Sequence, residues 1–119
     1  MIRSLFRSSC RYPVLVAALL PVAPSAWALT DRADLLKWCT HASSVASARC
    51  FGYLLAAEDA LSRDSVEGIR ACLPLDIGLR TQHRLVLDWL GDHPDAEAAS
   101  ALGLVARAYA QYYPCPSSP

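Results

Sequence analysis

Residues 44–63, SVASARCFGYLLAAEDALSR, decide the fold. Cys50, Tyr53, Leu54, Ala57 and Leu61 recur at steps of three and four, which places them on one face of an α-helix, while Arg49, Asp59 and Arg63 fall near the opposite face. A helix with one apolar stripe must bury it against other elements. Gly52 and Ala56 are small enough to let a second helix approach closely. Upstream, Thr30 or Asp31 can cap a short helix carrying Leu35, Leu36 and Cys39 on one side, and the polar stretch Thr40 to Ser44 breaks it. Downstream, Asp64 to Asp76 contains Gly68 and Pro74 and reads as a loop presenting Cys72. A third helix is expected over about Leu79 to Gly91 with Val86, Trp89 and Leu90 facing in, stopped by Gly91-Asp92-His93-Pro94. Asp95 can cap a fourth, whose stripe is Ala98, Leu102, Val105, Ala106, Tyr109 and Tyr113. No run alternates with a period of two, so the expected class is all-α, a small four-helix bundle.

The N-terminal 28 residues read differently. Arg3, Arg7 and Arg11 form a basic region, Val14 through Ala23 an apolar stretch, and Ala26-Trp27-Ala28 a small-x-small site, which together predict a signal peptide cleaved after Ala28. The apolar stretch is interrupted by Pro21 and Pro24 and falls short of the roughly 20 residues that span a bilayer, so no membrane association is expected after cleavage. Of the 5 cysteines, Cys10 leaves with the signal, and Cys39, Cys50, Cys72 and Cys115 remain. In the periplasm an even set of this kind forms disulfides. Residues 29–119 then make a single small domain, which needs such staples because it buries only around 60–65% of its unfolded surface. Four cysteines allow three pairings. An antiparallel hairpin of the first two helices brings Cys39 opposite Cys50, which leaves Cys72 to tie the loop before the third helix to the tail at Cys115.

Charge excludes some functions. Three of the 11 basic residues are lost with the signal, leaving 8 against 11 acidic ones. That balance carries no basic stripe for nucleic acid and no polybasic segment for anionic lipid. Cys39 and His41 resemble a nucleophile and base only superficially, because they lie two apart and the cysteine has a disulfide partner. Cys39, His41 and Cys50 lack the close spacings of structural zinc. No catalytic, metal or cofactor site is therefore expected, and the chain reads as a non-enzyme. Asp59 reads as a solvated helix charge, His83 and His93 as surface residues, and Trp38 and Trp89 as core. Tyr112 and Tyr113, adjacent on a helix, cannot both face inward.

Leu35-Leu36-Lys37-Trp38-Cys39, Cys50-Phe51-Gly52-Tyr53-Leu54 with Asp59-Ala60-Leu61, Cys72-Leu73-Pro74, Trp89-Leu90 with His93-Pro94, and Tyr113-Pro114-Cys115 occur in that order over nearly the whole mature chain. This ordered set resembles the Rap/Tai family of type VI secretion immunity proteins. The resemblance implies a periplasmic helical protein, a homodimer in many members, that binds and inhibits a cognate peptidoglycan amidase effector. The pattern departs at Asp76 to His83, where Gly78 occupies the expected capping position and Gln82 is shifted, which leaves the start of the third helix open. The alternative is a small periplasmic disulfide-stabilised binding or chaperone protein without an effector partner. An acid-triggered chaperone, however, would carry a denser set of acidic groups. For an inhibitor, the contact residues are expected on anchored loops: Glu67 and Arg70 in one, Asp92, His93 and Asp95 in the other.

Overall fold

A computed structural model describes residues 29–117; the expected signal peptide and its cleavage site lie outside them. Among the described residues the chain forms α1 (Arg32–Thr40), α2 (Ser44–Arg63), α3 (Leu79–Asp92) and α4 (Ala101–Tyr112), with no named strand. Asp31 caps α1, its carboxylate accepting from the Asp34 amide at 2.9 Å, and Ser43 caps α2 through the Ala46 amide at 3.1 Å. Each satisfies one of the amides that a helix start leaves without an internal partner.

The apolar stripe of α2 goes where its spacing directs. Cys50, Leu54, Ala57 and Leu61 are buried, and the helix packs against α1, α3 and α4. Leu35 from α1, Val86 and Leu90 from α3, and Val105 and Tyr109 from α4 complete the core. Each fully buried aliphatic chain contributes about 1.5–3 kcal/mol relative to exposure. The most enclosed helix is α4, where Ala101, Ala106 and Ala108 are all fully buried and allow neighbouring helices to approach closely. Gly52 and Ala56 do not play that part. Both are exposed, and nothing lies within 4 Å of a Cβ built on Gly52.

Two boundaries differ from the sequence reading. Asp95 does not cap α4; the helix starts later, capped by Ser100, whose hydroxyl accepts from the Gly103 amide at 3.3 Å. Nor does Gly91 end α3 in a left-handed conformation. The helix runs through it to Asp92, and Pro94 follows the capping residue His93. The open question at the start of α3 closes at Leu79, where Gly78 stands at the cap without any side-chain bond.

Both expected disulfides are present. Cys39–Cys50 closes the α1–α2 hairpin with Cα atoms 5.0 Å apart, and Cys72–Cys115 joins the loop before α3 to the tail after α4 with Cα atoms 4.8 Å apart.

Candidate partner-binding surface

The segment from Asp64 to Gly78 has no helix, yet it is tightly held. Val66 and Ile69 exchange two backbone bonds of 2.9 Å around Glu67 and Gly68, whose φ values of 51° and 77° are both left-handed. A two-residue turn of this kind needs positive φ at both positions. Gly68 adopts it freely, whereas Glu67 does so at a cost offset by its carboxylate. That group accepts from the Ala99 amide at 3.2 Å and the Ser100 hydroxyl at 2.7 Å, clasping the turn to the start of α4. Gly103 makes room for it, since a Cβ there would lie 2.2 Å from a Glu67 carboxylate oxygen.

Beyond the turn, Ala71 is buried, the Cys72 amide donates to the Tyr113 carbonyl at 2.8 Å, and the second disulfide fixes the same point covalently. The chain then turns at Pro74-Leu75-Asp76, closed by the Ile77 amide on the Pro74 carbonyl at 3.2 Å. Leu75 stands at the apex with 105% relative exposure, the most exposed large apolar side chain among the described residues. It borders an open groove shared with Leu55, Ala56, Asp59 and Ser62 of α2. Arg70 lines an adjoining groove of about 270 Å³ beside Leu73 and Cys115.

The second loop is organised by a residue that sequence reasoning passed over. The Arg32 guanidinium reaches from α1 to the end of α3, donating to the carbonyls of Leu90, His93 (3.0 Å) and Ala96 (3.5 Å). The Leu90 carbonyl, in the last turn of α3, has no helical partner and lies at the negative end of the helix dipole, where a cation is favoured. His93 is not the free surface residue expected. Its ring stacks on Trp89 with centroids 4.4 Å apart, Nδ1 donates to the Trp89 carbonyl at 2.8 Å, and the indole donates to Gln111 Oε1 at 2.7 Å. Asp92 and Asp95 remain exposed. The predicted contact residues therefore separate: Glu67 clasps α4, Arg70 opens on the groove, His93 is stacked inward, and Asp92 and Asp95 face solvent.

The remaining polar chemistry serves the core. Gln82 is 1% exposed, donates to Glu58 Oε2 at 2.7 Å and accepts from the Tyr109 hydroxyl at 2.7 Å. Burial, and secondarily the Glu58 charge, push the Tyr109 phenol well above its ordinary range. His83 is likewise half-buried and bonded rather than free at the surface. Its Nε2 donates to the Cys39 carbonyl at 2.8 Å and its ring packs edge-on against Phe51, so the histidine brought to the first disulfide is His83, not His41. With both sulfurs in the bridge, neither is a thiolate available to attack a substrate or hold a metal.

These features define a small helical protein, braced by two disulfides, whose irregular segments are held rigid around exposed apolar and charged side chains. The family model for Rap1a immunity proteins matches residues 31–115, and the chain belongs to that family. The matched span contains all four helices and all four bridged cysteines. Membership points to an immunity role toward a secreted effector, and members of the family are typically non-enzymatic. No curated protein and no solved structure matches the chain.

Proposed function

We propose that this protein acts in the periplasm as an immunity protein that binds and inhibits a peptidoglycan amidase delivered by type VI secretion. The observation that carries the reading is the family match across residues 31–115, and the Leu75 turn supplies a physical means. An amidase that works with a cysteine and histidine in a peptide-binding groove is blocked by whatever fills that groove. Leu75 is an apolar knob on a turn tied down by Cys72–Cys115 and Pro74, so docking it orders little additional chain. Arg70 and Asp76 flank it with charge, the arrangement of an anchor inside a polar rim. Asp92 and Asp95 offer a second set of charges on the loop held by Arg32.

The test is direct. A peptidoglycan amidase found encoded next to the gene for this chain is assayed on purified peptidoglycan with and without saturating protein, and its toxicity in the periplasm is scored with and without co-expression. Complete inhibition and rescue are expected. Undiminished cleavage at saturation rules the reading out.

A further inference from the structure

The turn end of the α1–α2 hairpin, where α1 finishes and α2 begins, carries a small notch of about 180 Å³ lined by Lys37, Trp38, His41, Val45 and Arg49. No carboxylate lines it. We infer that this notch receives a carboxylate-bearing side chain, with an adjacent apolar residue, from the partner protein, and that it forms the second contact point of the effector interface. The identity of the partner rests on the immunity reading above; the chemistry of the notch does not.

Size comes first. Sites for free small molecules occupy roughly 300–1,000 Å³, so this notch suits a single side chain. Its lining combines cationic groups at Lys37 and Arg49 with the Trp38 ring and Val45, the latter 62% exposed. A neutral apolar occupant would leave the cations unmatched, and an isolated acid would leave the indole wet. An acidic residue beside an apolar one satisfies both.

The notch is also preorganised. Trp38 and Arg49 are the immediate neighbours of Cys39 and Cys50, so the disulfide fixes both walls. Behind it, His83 holds the Cys39 carbonyl at 2.8 Å, and Trp38 rests edge-on against Tyr53 with centroids 5.9 Å apart. Walls that are already fixed lose little freedom on binding.

Position ties the notch to the Leu75 groove. Val45, Gly52, Ala56 and Asp59, spaced by seven, four and three, share the exposed outer face of α2, which begins at the notch and ends at the groove. From Arg49 to Ser62 the helix rises about 20 Å. A standard interface covers about 800 Å² per partner, a patch roughly 28 Å across, so one partner spans both features. Gly52 and Ala56 keep the surface between them flat.

Two measurements test the inference. In the first, a capped leucyl-glutamate dipeptide and its leucyl-glutamine counterpart are titrated into the protein while the Trp38 indole signal is followed by NMR. The acid is expected to shift that signal at millimolar concentration and the amide to leave it unmoved, with Arg49→Gln abolishing the response. In the second, the variant Lys37→Glu/Arg49→Glu, its helicity checked by circular dichroism, is expected to bind the amidase that the parent inhibits at least tenfold more weakly, with the deficit in the association rate and shrinking in high salt. Equal responses to the two dipeptides, or none to either, overturn the notch, as does a charge-reversed variant that binds like the parent. Should the parent itself fail to bind the amidase, the immunity reading falls, and the dipeptide titration still decides the notch.

Discussion

The two disulfides hold different kinds of chain. Cys39–Cys50 spans 11 residues and joins two regular helices through sulfurs buried in the core, where the backbone is already satisfied within α1 and α2. Cys72–Cys115 spans 43 residues and joins two irregular segments, with Cys72 at the surface. In the irregular segments the backbone finds its partners one at a time: Cys72 with Tyr113 beside the second bridge, Ala99 with Glu67, and the end of α3 with Arg32. Regular structure satisfies its own polar groups, whereas irregular structure must find partners one by one in other backbone and in side chains. Those contacts leave Leu75, Arg70 and the acidic loop residues free to meet a partner.

The largest effect expected from this contrast is on stability. In the chain-entropy account, removing Cys72–Cys115 with paired alanines costs roughly 4 kcal/mol and removing Cys39–Cys50 roughly 3. Urea unfolding of the two variants gives the order, and a reversed order would show that packing around the buried bridge outweighs loop closure. Next comes the helical side. Tyr109→Phe leaves Gln82 Oε1 without its donor in the core and is expected to cost about 2 kcal/mol, read from the same curves. An unchanged midpoint would mean that water replaces the phenol.

The same tyrosine makes the fold sensitive to alkali. Tyr109 and Tyr53 are both held above the ordinary phenol value of 10.0, in each case chiefly by burial. Above that pH the unfolded chain gives up protons that the folded chain retains, so stability present below pH 10 falls as pH rises further. Tyr109→Phe is expected to flatten this loss, and parallel pH profiles for the two proteins would contradict it.

On the irregular side, Gly103→Ala drives a methyl group into the Glu67 carboxylate and is expected to cost about 1–2 kcal/mol. Combining it with Glu67→Ala should cost less than the two changes added together, because the clash is gone. Strict additivity would place the strain elsewhere. The smallest stability change belongs to Leu75→Ser, within about 0.5 kcal/mol for so exposed a side chain. Its affinity for the proposed amidase partner is nevertheless expected to drop at least tenfold, and unchanged binding would remove Leu75 from the interface.

What the sequence disclosed follows the same division. The α2 stripe, the presence of a third helix and both cysteine pairings were legible because they depend on local spacing and on a hairpin of neighbouring helices, whereas the start of α3 at Leu79 was not. The contact network was not. Gln82 meets Tyr109 from 27 positions away and Arg32 meets His93 from 61, distances over which spacing carries no signal. Asp95 and Ser100 are both good capping residues, and only the clasp of Ser100 by Glu67 shows which one begins α4. His83 and His93 look like solvated polar residues until the rings and carbonyls beneath them are in place. Leu75 gave no periodic signal either, since one leucine beside a proline in a loop reads as punctuation.

The four bridged cysteines pair in chain order, Cys39 with Cys50 and Cys72 with Cys115. A polypeptide oxidised while it emerges end-first therefore meets each correct partner as the next thiol available. Cys39 can close on Cys50 before Cys72 appears, and Cys72 then has only Cys115 to await. Assembly by this route requires no bond to be broken and remade, so the protein can mature with an oxidant alone, free of the slow reshuffling that interleaved disulfides demand.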